Sequence, residues 1–187
     1  MPIELARIAW GITGSGDKIE EVLDAMVRLK TVLGVRIDVF VSKAGRQVLH
    51  WYRLWDRLNA AFDKVKPEVD ANVPFIAGPL QVGKYDVFVV APLTANSAAK
   101  IAYGIEDTLI TNAVAQALKG TTPVLLYPVD QEPGEFETVT PEGVRIRIKT
   151  RAIDIENVER LRHMEGVTVL GSVSEMEDWI NGMFRVA

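Results

Sequence analysis

Val87-Phe88-Val89-Val90-Ala91-Pro92-Leu93-Thr94-Ala95-Asn96-Ser97 is the stretch that decides the reading of this chain. The run Val87 to Ala91 is apolar without alternation, so it predicts a strand covered on both faces, as in a parallel sheet. It ends in a loop carrying Thr94, Asn96 and Ser97, and a helix follows from about Ala95. Open α/β sheets bind ligands at the carboxyl ends of their strands. Composition leaves two uses for these side chains: a helix N-cap from Thr94 or Asn96, or contacts to a ligand.

Working outward, the same unit recurs. Arg7 to Ile12 reads as a buried strand that stops at Thr13-Gly14-Ser15-Gly16. Asp17 is placed to cap a helix whose apolar positions Ile19, Val22, Leu23, Met26, Leu29 and Leu33 recur at helical spacing, with Gly34 at its end. Val35 to Ser42 predicts the second strand. Residues 43–66 read as one helix with Val48, Trp51, Trp55, Leu58 and Phe62 on one side. Residues 67–83 read as a loop with a short strand near Phe75-Ile76. After the central stretch come a helix from Asp107 to Leu118 and a strand from Pro123 to Tyr127. This alternation predicts an α/β, Rossmann-like (flavodoxin-like), doubly wound parallel sheet with right-handed crossovers. Beyond it, residues 135–150 turn at Thr140-Pro141-Glu142-Gly143 and predict a C-terminal β-hairpin extension. A helix from Asp154, a strand at Val167 to Leu170 and a helix from Ser174 to Phe184 complete the chain. No repeat or linker interrupts it, so residues 1–187 are expected to form a single domain.

The bulk properties exclude several functions. The 187 residues suffice for a real core, and 48% of them are hydrophobic. The net charge of −4 argues against a nucleic-acid partner, which would call for basic excess. The absence of cysteine removes disulfides, iron–sulfur ligation and a thiol nucleophile, and two histidines argue against a histidine metal site. Met1 to Arg7 lacks a leader pattern, and no apolar run would span a bilayer, so no membrane association and a cytoplasmic location are expected.

The turn Gly11-Ile12-Thr13-Gly14-Ser15-Gly16 lets backbone N–H groups approach an anion, and a helix N-terminus behind it adds partial positive charge. Its spacing is neither the dinucleotide fingerprint nor a Walker A loop, so a plain tight turn is the competing reading. Ser42 ends the second strand where an adenosine ribose would call for a carboxylate, so its hydroxyl suits a phosphate or a ring edge better.

The run Ala91 to Asn112 resembles the flavoprotein family that includes the homo-oligomeric flavin-containing cysteine decarboxylases. Members carry Pro-x-[Thr/Ser]-Ala-Asn-[Thr/Ser] and then Lys-Ile-Ala-x-Gly-Ile-x-Asp-x-Leu; here Pro92 to Ser97 and Lys100 to Leu109 match. The resemblance implies non-covalent FMN, with Thr13, Gly14, Ser15, Ser42, Pro92, Thr94, Ala95, Asn96 and Ser97 as cofactor-binding residues. It also implies a homo-oligomer, a trimer or a multiple of trimers, with flavin near the subunit interface. The departures narrow the activity. The decarboxylases' Pro-x-Met-Asn clamp is absent from Pro123 to Asp130, and no histidine lies between Trp51 and Ala91. Val129 stands where the prenyl-transferring members carry arginine. The segments Val139 to Ile148, Asp154 to Leu161 and Met164 to Leu170 are similar to the archaeoflavoprotein and dihydromethanopterin reductase branch. Electron transfer or flavin-dependent reduction is therefore the expected function, with ferredoxin as an implied donor. A decarboxylase-type lyase and a flavin-free subunit like the small subunit of dipicolinate synthase are the alternatives.

Four further features carry expectations. Trp51, Tyr52 and Trp55 beside His50 predict core or interface packing, or a wall against a flavin or pterin. His163 is expected to serve a helix end. Asp107 is expected to cap the helix it precedes. Arg145, Arg147, Lys149 and Arg151 alternate with Val144, Ile146 and Ile148, which predicts a cationic stripe opposite a core-facing apolar one. Such a stripe fits either a solvated edge strand or a dock for an acidic electron carrier such as ferredoxin.

Overall fold

The computed structural model describes residues 6–185, so the leader-peptide expectation for residues 1–5 falls outside the described residues. The chain runs β1 (Arg7–Ile12), α1 (Ile19–Leu33), β2 (Arg36–Val41), α2 (Lys43–Trp51), α3 (Trp55–Ala61), β3 (Lys64–Pro67), α4 (Ala77–Gln81) and β4 (Val87–Leu93). It continues through α5 (Ala95–Ala102), α6 (Leu109–Leu118), β5 (Val124–Pro128), β6 (Glu135–Val139), β7 (Arg145–Lys149), α7 (Ala152–Arg162), β8 (Val167–Val169) and α8 (Val173–Arg185).

Six strands form one parallel sheet in the order β3-β2-β1-β4-β5-β8. The order reverses between β1 and β4, which opens a crevice at their carboxyl ends. The period of two along each strand sorts the core into two layers. Ile8, Trp10 and Ile12 of β1 join Val87, Val89 and Ala91 of β4 against α1 and α8. Ala9 joins Phe88 and Val90 against α5 and α6. Every residue of β4 is buried, as its unbroken apolar run predicts.

Several boundaries depart from the sequence reading. Residues 43–66 are two helices and a strand rather than one helix. The chain breaks at Arg53, whose φ of 58° is left-handed; α3 then ends at Phe62, whose backbone is extended, and β3 follows against β2. Phe75-Ile76 is not a strand; Ile76 leads into α4. Asp17 does not cap α1, because the helix starts at Ile19 behind Lys18, which is left-handed at φ 61° and makes no side-chain cap bond.

The hairpin β6–β7 pairs antiparallel as expected, but its apolar face does not reach the core. Val144 and Ile146 are exposed, at 56% and 41%, and Ile148 is only half-buried. The hairpin is instead held by polar contacts: the Tyr52 hydroxyl donates to the Val139 carbonyl at 2.8 Å, and the Thr138 hydroxyl bonds the Asp17 carboxyl.

Candidate functional site

The carboxyl ends of β1, β2 and β4 border a cleft of about 400 Å³. Gly14, Ser42, Thr94, Asn96 and Ser97 line it, so residues from three separate loops meet there as the sequence reading expects. Lys43, Ala44, Glu68, Asp107 and Thr108 complete the wall. Thr13, Ser15, Pro92 and Ala95 stand next to the cleft and are not part of its lining.

Three helices present their N-termini to this space, each with its own cap. The Ser42 Oγ accepts the Gly45 N–H at 2.9 Å and starts α2. The Thr94 Oγ1 accepts the Ser97 N–H at 3.2 Å and starts α5. Thr108 and Thr111 exchange backbone-to-hydroxyl bonds of 3.1 and 3.3 Å in a capping box that starts α6. Aligned peptide dipoles give each N-terminus about half a positive charge, so the cleft favours an anion. Thr94 rather than Asn96 is the cap, which leaves the exposed Asn96 amide outside the capping role. Thr108 rather than Asp107 caps α6; Asp107 holds Lys100 through two contacts of 2.9 Å.

Thr13 knits the two central strands together. Its N–H and hydroxyl both donate to the Pro92 carbonyl, at 3.2 and 2.7 Å, and its Oγ1 accepts the Thr94 N–H at 2.9 Å. The side chain is 1% exposed, so its polar capacity is spent inside the protein. The Ser15 N–H donates to the Thr13 carbonyl at 3.0 Å and its hydroxyl to the Asp17 carbonyl at 3.2 Å. The turn therefore uses several of its own polar groups, and the helix ends that reach the cleft are those of α2, α5 and α6.

The glycines of the turn answer to their neighbours. A Cβ on Gly14 would stand 2.6 Å from the Cβ of Ala44, and one on Gly16 would stand 2.5 Å from the Tyr52 hydroxyl. Both distances are below any van der Waals contact, so α2 approaches the turn only because these positions lack side chains. Gly14 also borders the cleft.

Glu68 escaped the sequence reading because β3 did. The Glu68 N–H donates to the Val41 carbonyl at 2.7 Å, which sets it at the carboxyl end of the sheet beside β2. Its Oε2 accepts the Lys43 N–H and its Oε1 the Leu109 N–H, each at 2.9 Å. A strand-like Lys64-Val65-Lys66 before Pro67 was the available signal; its charged alternation hides an edge strand.

At the N-terminus of α5, burial raises the Asp130 carboxyl above the ordinary aspartate value, and Asp154 and Asp17 push it further up. The Ala95 N–H works against that shift. Burial likewise raises Asp17. The aromatic residues separate: Trp51 is 55% exposed, Tyr52 packs under Gly16, and the Trp55 ring lies 5.1 Å from that of His50. The expectation that Trp51 and Trp55 share a helix face fails because they belong to different helices. His163 does serve a helix end, with its Nδ1 2.8 Å from the Glu159 carbonyl at the close of α7.

Comparison with known proteins places this architecture. The Flavoprotein family matches residues 2–183. An uncharacterized protein of Methanocaldococcus jannaschii is 50% identical over 92% of this chain and 93% of its own. The dihydromethanopterin reductase (acceptor) of the same organism is 29% identical over 94% of this chain and 96% of its own. Burkholderia xenovorans DmrB, a cubic protein cage for redox transfer solved in complex with FMN, superposes with a TM-score of 0.84 at 34% identity, over 98% of each chain.

Proposed function

The chain belongs to the flavoprotein family, and from that premise we propose that it holds FMN in the cleft and works as an electron carrier or flavin-dependent reductase. The observation that carries this reading is the meeting of Gly14, Ser42, Thr94, Asn96 and Ser97 at the switch point of the sheet. The donor set suits a phosphate monoester. Ser42 Oγ accepts from Gly45, and Ser97 Oγ accepts the Thr94 hydroxyl at 3.1 Å, so both protons are available to donate outward. Gly14 lets backbone come close, and the first turn of α5 adds positive potential. Asn96, in the first turn of α5, reaches the ribityl chain or ring. Thr13, Pro92 and Ala95 hold these groups in place, and Ser15 shapes the turn.

When bound, FMN supplies a ring that takes up an electron pair and gives electrons on. The protein binds and orients that ring. A dihydropterin is the acceptor to test first, since a relative spanning nearly the whole chain is a dihydromethanopterin reductase. The protein is cytoplasmic and a single domain in this reading, and among the described residues no helix is long and apolar enough to cross a membrane. It assembles as a trimer or a multiple of trimers. Val69, Val73 and Phe75, exposed on the loop after β3, supply apolar surface for a second copy to cover.

Ferredoxin remains the donor to test, although the hairpin offers less positive charge than the sequence pattern promises. Arg145 and Arg147 each face a glutamate, Glu137 and Glu135, at 3.9 Å. Purified protein should be yellow and release FMN on denaturation. Colourless protein that binds no added FMN sinks the reading. Anaerobic stopped-flow reduction by ferredoxin, NADH and NADPH identifies the donor.

A further inference from the structure

Glu68 is a carboxylate placed where an anionic ligand would be expected to bind. It lines the cleft, yet both of its oxygens are committed to backbone donors, the Lys43 N–H at the start of α2 and the Leu109 N–H at the start of α6, each at 2.9 Å. Charge-assisted bonds of this kind are the strong ones, and a carboxylate at a helix N-terminus also gains from the dipole. Two of the helix ends that converge on the cleft thus have an internal anion. Asp107, in the same wall, is neutralised by Lys100.

We propose that Glu68 sets the cofactor specificity of the cleft, limiting it to a flavin with a single terminal phosphate and excluding one whose phosphate is extended by a second phosphoryl group. The inference rests on the reading of the cleft as an FMN site. The donors left to a ligand are the Ser42 and Ser97 hydroxyls, the Gly14 backbone and what remains of the first turn of α5 beside the Ala95 N–H, which Asp130 accepts, a set that satisfies one phosphoryl group. A second phosphoryl group, held a few ångströms from the first by the anhydride bridge, has no uncommitted helix end to meet on this side. It meets the Glu68 charge instead. Within a Debye length of about 10 Å at 0.1 M salt, that repulsion is only partly screened.

The test is a titration of flavin-free protein with FMN and with FAD, followed by flavin fluorescence, in the wild type and in Glu68→Gln and Glu68→Ala. Glu68→Gln keeps a carbonyl acceptor at the helix ends and removes the charge. Wild type should prefer FMN, and the variants should narrow the FMN-to-FAD affinity ratio by about tenfold or more, the scale of one charged hydrogen bond. The narrowing should come from tighter FAD binding. A ratio unchanged in variants that unfold cooperatively overturns the proposal, as does wild-type protein that binds FAD as tightly as FMN. Inorganic phosphate and pyrophosphate, competing against FMN on the wild type, give a measure that needs no variant. Pyrophosphate should compete no better than phosphate, and a tenfold advantage for pyrophosphate overturns the inference. Protein that binds neither flavin overturns the FMN reading itself, whereas failure of discrimination with FMN bound overturns only the role of Glu68.

Discussion

The turn after β1 and the loop after β4 approach the cleft from neighbouring strands with the same kinds of small and hydroxyl-bearing residues. Their commitments differ. In the turn, Gly14 and Gly16 are held against Ala44 and Tyr52, and Thr13 is sealed between the two strands. In the loop, Thr94 serves α5 as its cap while Asn96 stays exposed and faces the cleft. Residue type alone did not separate these roles; the nearness of α2 to one segment did. The turn is held by its packing against α2, and the loop leaves a polar side chain facing the cleft.

That contrast predicts where substitutions act. Gly14→Val should have the largest effect, because its new atoms run into Ala44 and its backbone. The cost expected from overpacking is about 3 kcal/mol, seen in thermal unfolding of flavin-free protein. Unchanged unfolding would show that the approach of α2 does not constrain the turn. Asn96→Ser, in contrast, should leave stability within about 0.5 kcal/mol while weakening FMN binding about tenfold. Thr94→Ala should cost about 1 kcal/mol in urea denaturation through the lost cap. If Asn96→Ser destabilises as much as Thr94→Ala, the division of labour within the loop fails.

Asp130, which accepts the Ala95 N–H at the start of α5, sharpens the comparison through pH. Its folded pKa lies above the ordinary value of 3.8. The protonated form is therefore the one the fold favours; its contribution is fully present below 3.8 and is lost as pH rises through the folded value. At neutral pH the wild type carries an ionised, partly desolvated carboxylate, so Asp130→Asn should be the more stable protein there. The difference should shrink as pH falls towards 3.8. Parallel stability profiles for both proteins from pH 3.5 to 7 would refute this. The smallest effect belongs to the hairpin. Reversing Arg145 and Arg147 to Glu breaks only exposed pairs and should change stability by less than about 1 kcal/mol. A ferredoxin reduction rate that falls steeply in the double reversal, with dithionite reduction unchanged, would restore the hairpin as a docking face.

The central unit was legible because its signals are local and agree with one another. Val87 to Ala91 has the continuous apolar run of a doubly covered strand, and the same strand–loop–helix unit recurs from Arg7, so the parallel sheet followed. Ser42, Thr94, Asn96 and Ser97 were legible as a set through motif resemblance. β3 was not, since Lys64-Val65-Lys66 looks like surface, and an edge strand exists only by pairing with β2. Glu68 was lost with it. The hairpin was found and its facing misjudged: alternation predicts two faces, but whether one is buried depends on a neighbour to cover it, and Val144 and Ile146 have none sufficient.

By itself, then, the sequence determined the layered α/β architecture, the two central loops and the family, because apolar period, turn residues and a dense motif are all written within short windows. Tertiary structure alone decided which small residues are steric necessities, which threonine caps which helix, and that Glu68 joins the starts of α2 and α6. Those assignments depend on distances between segments far apart in the chain, 25 residues from Lys43 to Glu68 and 41 from Glu68 to Leu109. Only packing of the two helices onto one end of the sheet brings those donors to a single carboxylate.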